Sequence, residues 1–378
     1  MPARDLPAAT RWLSALIVAP TEAACRRFDL SRLALAVDHG VAPLVGHRLS
    51  TRGLLVHVPE AVRGRVTQIV REAVVLDAVA RHEQARMTSA FERAGVAALV
   101  FKGAAVSATH YQESWLRPRG DVDVLVSTTQ VDAATGALES IGYRRALQPG
   151  GALVAHQARF CAPGTAGDFA CDLHWRVADP FAFADAFPFD ELWSASVEGD
   201  APHVRHAAQV DALLISCVHR AAHHHDTDRL LLLYDIDRMA RRFSSGDWER
   251  FTTLAAVRGL RAVSRRGLDL ATALFDTPVP RQTRMSLTVD QQEASARFVA
   301  GGLRRIDILR SDLARLRTWR DRICLLREHV LPTPAYMAAR YGCGRRIMLP
   351  WCYATRLARG AVRWFRPFAP HTTAARLP

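Results

Sequence analysis

Apolar residues recur at three- and four-residue spacing through most of the first 95 positions. Stretches such as RFDLSRLALAVDHGVAPLVGHRL and AVRGRVTQIVREAVVLDAVARHEQARMTSAFERAG carry the pattern, and this period predicts amphipathic helices. Gly95 is placed to end the last of them. The pattern then changes. AALVF (97–101) is a short apolar run and DVDVLV (121–126) alternates with β-branched residues, so both predict strands, with GAAVSATHY between them as a short helix entered through Gly103. QVDAATGALESIG predicts a further helix that stops at Gly142. YRRAL, ALVAHQARFC and DFACDLHWRV follow as strands separated by Gly- and Pro-containing turns around 149–151 and 163–167. The order is β-α-β-α-β-β-β. From about 207 the helical period returns in VDALLISCVHRAAHHH, LLLLYDIDRMARRF and DWERFTTLAAVRG, the last with Asp247 as N-cap. The predicted fold class is α+β, a small mixed-sheet core flanked by helices. Its segments are an N-terminal helical region (1–95), the α/β core (96–205), a C-terminal helical bundle (206–330) and a basic, aromatic tail (331–378).

Composition adds limits. With 378 residues, 49% of them hydrophobic, the chain can bury a large core, which excludes a disordered protein. A formal charge of +13 favours anionic partners such as nucleotides, nucleic acid or acidic lipid headgroups. Seven cysteines lie at 25, 161, 171, 217, 324, 343 and 352 without metal-ligand spacing, and predict reduced thiols. The N-terminal apolar stretch is too short for a membrane span and is flanked by Asp5 and prolines unsuited to a signal peptide, so no transmembrane segment and a cytoplasmic location are expected. Among 50 Lys and Arg residues there is one lysine, Lys102. Lysine is a compact point charge where arginine is a wide planar fork, so a tight position beside a glycine is where the exchange is least tolerated.

That lysine lies in the part of the sequence with the most chemistry. On a strand, side chains two apart share a face, so Asp121 and Asp123 project together while Val122, Val124 and Val126 enter the core. Paired carboxylates are costly unless a cation neutralises them, and hard oxygen ligands favour Mg²⁺ or Mn²⁺. Asp172 is the candidate third carboxylate: Phe169, Cys171, Leu173 and Trp175 alternate as an apolar face and leave Asp172 and His174 on the other. Upstream, the turn through Lys102 and Gly103 into a helix offers backbone N–H groups to a phosphate.

A strand, a glycine turn, a helix and a strand opening with paired aspartates is the arrangement of the polymerase-beta-like nucleotidyltransferase superfamily. More closely, LVFKGAAVSATHYQESWLRPRGDVDVLV with the later Asp-Leu-His-Trp strand resembles the bacterial family of uncharacterised nucleotidyltransferases, and the likeness extends over about 80–320. The resemblance implies Lys102 and Gly103 as the Lys-Gly motif, Arg117 as the arginine before the first aspartate, and Asp121, Asp123 and Asp172 as metal-binding catalytic carboxylates. His174 and His219 match later motif positions, and Asp235 falls in the matching helical segment. Gly103–Ala104 stands where the superfamily has Gly-Ser, so the phosphate grip is left to backbone amides, Lys102 and Arg117. The implied activity is Mg²⁺- or Mn²⁺-dependent transfer of a nucleoside monophosphate from an NTP such as ATP to a hydroxyl of a small molecule, protein or RNA. The alternatives are a catalytically inactive nucleotide- or partner-binding module and an RNA-binding or tRNA-modifying factor.

Other features have plainer readings. His219, His223, His224 and His225 near a helix end predict a dipole partner and solvated surface, with His219 set apart by the resemblance as a possible cleft residue. Asp235 and Asp237 diverge by about 200° on a helix, which suits an anchor better than a shared metal. From 301 onward sixteen arginines face four acids, interleaved with Trp351, Tyr353, Trp364, Phe365 and Phe368. This predicts a final helix with a solvated arginine face and leaves open a peripheral membrane or nucleic-acid contact.

Overall fold

In the computed structural model the described residues are 6–148, 151, 153–162, 169–342 and 346–368. Four short helices, Ala8–Val18, Glu22–Arg26, Leu30–Asp38 and Ala42–Thr51, precede a 34-residue helix, Glu60–Arg93. Thr21 and Asp29 cap two of them through side-chain oxygens that accept from Ala24 N and Arg32 N. The long helix ends where Gly95 takes a φ of +64°, a left-handed conformation that favours glycine.

A seven-stranded mixed sheet follows: β1 (Ala98–Phe101), β2 (Asp121–Val126), β3 (Arg144–Arg145), β4 (Gln157–Cys161), β5 (Ala170–His174), β6 (Val197–Ala201) and β7 (Val204–His206), in the order β3-β4-β5-β2-β1-β7-β6. Helices Lys102–His110 and Val131–Ser140 join the first three strands. β1 runs antiparallel to β2 and parallel to β7, while β2 and β5 are parallel. The mixed α+β class follows the sequence reading, with two differences. Only 157–161 of ALVAHQARFC pairs as a strand. β6 and β7, short and partly polar, carry no alternating apolar signal and extend the sheet at the far edge.

The two sheet faces enter different cores. Val100, Val122, Val124, Val126, Cys171 and Leu173 pack with Met87 and Phe91 of the long helix and Leu138. Leu99, Phe101 and Leu125 face a larger core that includes Leu13 and Leu44 near the N-terminus and Leu213, Ile236 and Phe251 in the C-terminal half. The helices supplying that second part are Gln209–Ala222, Leu230–Ala240, Ser245–Val257 and Arg261–Phe275. The cap of Ser245–Val257 is Ser244, with Asp247 in the third helical position returning the bond to the Ser244 backbone. The predicted Asp247 N-cap is therefore corrected by three residues to one half of a capping box.

Helices Arg281–Ser286, Arg305–Arg315, Trp319–Val330, Pro334–Tyr341 and Leu349–Phe365 complete the described chain. No helix among the described residues is long and apolar enough to cross a membrane. Cys25, Cys161, Cys171, Cys217 and Cys324 are free thiols, whereas Cys352 is disulfide-bonded, which corrects the expectation of reduced cysteines throughout.

Candidate active site

The parallel register of β2 and β5 sets Asp123 directly beside Asp172 and Leu125 beside His174. Paired residues of neighbouring strands share a face, and so do residues two apart on one strand, so Asp121, Asp123, Asp172 and His174 all lie on the side facing the helical bundle. Val122 and Val124 are 1% and 2% exposed on the opposite side, which confirms the phase read from the sequence.

The Asp123 and Asp172 side chains are far less exposed than that of Asp121. Asp123 Oδ1 accepts a hydrogen bond from Lys102 Nζ at 2.7 Å and lies 2.9 Å from His174 Nε2. His174 Nε2 also lies 3.3 Å from Lys102 Nζ, and its Nδ1 lies 3.3 Å from the Arg176 carbonyl oxygen. Burial alone would raise the Asp123 pKa, but Lys102 and then His174 hold the carboxyl well below the usual carboxylate range. His174, 1% exposed and edge-on to Phe101, is lowered to about 4 by burial and by Lys102, and is neutral at pH 7. Lys102 itself has φ +52°, a left-handed backbone rare for a side-chain-bearing residue, held between β1 and the helix it opens. Its ammonium pairs with Asp123, on a side chain only 6% exposed.

Asp121 and Asp172 share a different cation. Arg159 Nη1, from β4, lies 3.3 Å from Asp172 Oδ1 and 3.9 Å from Asp121 Oδ2. Arg159 is in register with Asp172, which aims it at the pair. Burial raises the Asp172 carboxyl to about 6 against the opposing pull of Arg159, and burial followed by the Asp123 charge raises Asp121. Among the described residues no three His, Cys, Asp or Glu side chains are arranged as a ready-made metal cage. As they stand, the three aspartates have two cations beside them, Lys102 and Arg159.

Arg117 is close enough for the charges of Asp121 and Asp123 to act on it, but it pairs with neither. Its guanidinium makes a two-nitrogen bridge to Asp235, Nε to Oδ1 at 3.0 Å and Nη2 to Oδ2 at 2.8 Å, and Tyr111 donates its hydroxyl to the same carboxylate at 2.7 Å. Asp235 thus acts as the anchor its helical position suggested. Gly103 lies beneath this arginine: a Cβ there would sit 2.5 Å from Arg117 Nη1. The glycine makes room for a guanidinium, where the sequence suggested room for a phosphate. The Ala104 side chain is 1% exposed and packs into the core behind β1 and β2.

The histidines are not the solvated helix end expected of them. His219 and His224 approach at 3.0 Å between their Nε2 atoms, and the His219 and His223 rings lie 5.2 Å apart. The charges of Lys102 and Asp123 act on both His219 and His223, so this helix end borders the aspartate face. Burial keeps both neutral, His223 at about 3. Of the residues that meet around this face, Lys102, Asp121, Asp123, Asp172, His174 and His219 are those the sequence suggests, whereas Arg159 is not. Arg159 carries a signal only in the alternation of QARFC, which becomes usable once the β4–β5 register is known.

A mixed sheet presenting three aspartates, a buried lysine and a histidine to a helical bundle is the frame onto which the family likeness maps. The chain matches the profile of the family described as Uncharacterised nucleotidyltransferase over residues 30–276, well over half its length. This protein belongs to that nucleotidyltransferase family. The matched span contains every residue of the site described above and ends before the last five helices. No curated protein matches the chain.

Proposed function

We propose that the protein transfers a nucleoside monophosphate from an NTP to a hydroxyl acceptor, with Asp121, Asp123 and Asp172 holding Mg²⁺ or Mn²⁺. The observation that carries this reading is the β2–β5 register, which brings carboxylates from two strands onto one face beside Lys102. The donor set fits a hard divalent cation. Asp121 and Asp172 are raised by burial, a state that a bound cation relieves, and their present partner Arg159 is held only at 3.3 and 3.9 Å on a half-exposed side chain. Lys102 and His174 both meet Asp123 at Oδ1, which leaves Oδ2 for the metal. When bound, the metal supplies charge compensation to the triphosphate as pyrophosphate leaves.

The chain's own residues do the rest. Lys102 and His174 fix the Asp123 rotamer and keep it ionised. Arg159, displaced from Asp121 and Asp172, becomes a mobile cation for the phosphates. Arg117 acts at one remove, holding the turn at Gly103 through Asp235. The commitment of Lys102 and Arg117 to carboxylates favours one second reading, a nucleotide-binding module without turnover.

Incubation with each α-labelled NTP, Mg²⁺ or Mn²⁺ and a cell lysate is expected to move label onto an acceptor, and EDTA is expected to stop it. Calorimetric NTP binding with no labelling under any combination would reject transfer in favour of the binding module. An RNA-directed role predicts in addition that binding weakens steeply as salt rises.

A further inference from the structure

The C-terminal helices enclose a cavity of about 980 Å³ that the proposed chemistry does not use. Its lining includes Ala222 and His223, at the end of Gln209–Ala222, which packs against the helix that Lys102 opens, and Asp179, just beyond the end of β5, so this part adjoins the aspartate face. The lining carries five arginines, Arg305, Arg340, Arg356, Arg359 and Arg363. None of the five is paired with a carboxylate among the described residues: Arg356 donates to the His329 carbonyl at 3.3 Å and Arg305 lies over the Phe368 ring. The lining has two acids, Asp179 and Asp312. Both are shifted toward the neutral form by burial, and Asp312 already accepts from the Phe181 backbone N–H. Leu309, Leu325 and Trp364 give the lining an apolar cluster.

Guanidiniums gathered without counter-charges repel one another and attract phosphate or carboxylate groups with matched geometry. Apolar walls of this extent suit a ligand body that is not itself polar. Leu357 and Phe365, at 48% and 60% exposure, are also part of the lining.

We infer that this cavity binds an anionic amphiphile, a phosphate-bearing molecule with an apolar body, which presents its hydroxyl toward the aspartate face as the acceptor. The role as acceptor rests on the nucleotidyl-transfer reading; the binding does not.

The test uses the full chain without nucleotide or metal and measures calorimetric binding of octyl phosphate, with inorganic phosphate and 1-octanol as partial ligands. Octyl phosphate is expected to bind more tightly than either. Arg359→Ala/Arg363→Ala, on exposed side chains and checked for folding by circular dichroism, is expected to weaken it by about tenfold or more. Asp121→Asn should leave this binding unchanged, which separates failure of the cavity from failure of the chemistry. No binding, or equal affinity for the parent and the double variant, overturns the proposal. Cosedimentation with phosphatidylglycerol vesicles, lost in the double variant, would identify the amphiphile as a membrane lipid. Octyl phosphate binding without cosedimentation would identify a free metabolite. In labelling reactions octyl phosphate should compete with the acceptor in the parent protein. Undiminished labelling at saturating octyl phosphate would overturn the acceptor role.

Discussion

Asp121→Asn is expected to reduce nucleotidyl transfer by roughly a thousandfold or more, the scale on which a preorganised charge acts on phosphoryl transfer, while leaving the thermal midpoint nearly unchanged. The separation of the two effects follows from position. The Asp121 side chain is 42% exposed and its one ionic contact, to Arg159, is at 3.9 Å, so its removal leaves nothing buried and unpaired. Asp123→Asn should lose as much activity but also cost stability, because it leaves Lys102, whose side chain is 6% exposed, without its carboxylate. Initial rates with labelled NTP and thermal melts of the two variants check both halves. Equal activity in Asp121→Asn and the parent protein would remove Asp121 from the chemistry.

The second large effect is on folding. Arg117→Ala should destabilise the protein by roughly 3–5 kcal/mol, the usual consequence of stranding a buried charge, here Asp235 with its side chain 4% exposed. Arg117→Leu/Asp235→Leu should lose less than the two single changes added together, since no orphan charge remains. Gly103→Ala works on the same cluster from the other side. Its methyl would fall 2.5 Å from an Arg117 nitrogen whose fork is pinned by Asp235 and cannot give way cheaply, costing about 1–3 kcal/mol of overpacking. Denaturant melts of Arg117→Ala, Gly103→Ala, Arg117→Leu, Asp235→Leu and the double variant measure this set. Additivity in the double variant would show that the bridge is not a coupled unit.

Local periodicity alone makes the carboxylate face legible in the amino-acid sequence. Alternation in DVDVLV and in FACDLHW determines which side chains oppose the valines and cysteine, and the burial of Val122, Val124, Cys171 and Leu173 follows that phase. What alternation does not supply is the partner across long sequence separation. Arg117 looks like a phosphate ligand until Asp235, far along the chain on another helix, is brought against it. Lys102 reads as a tight position beside a glycine, and its pairing with Asp123 appears only once β1 and β2 are neighbours. The histidine run reads as surface because helical spacing is silent about which end of a bundle meets a sheet. β6 and β7 escape the alternation test because VEGDA and VRH are too short and too polar for it.

The contact between Lys102 and Asp123 has a practical corollary, because the chain has no other lysine. Growth on ¹⁵Nζ-labelled lysine would place one isotopic spin in the whole protein, with its amine 2.7 Å from the Asp123 oxygen. Its chemical shift could be followed through a titration with nucleotide or magnesium, free of overlap and without spectral assignment.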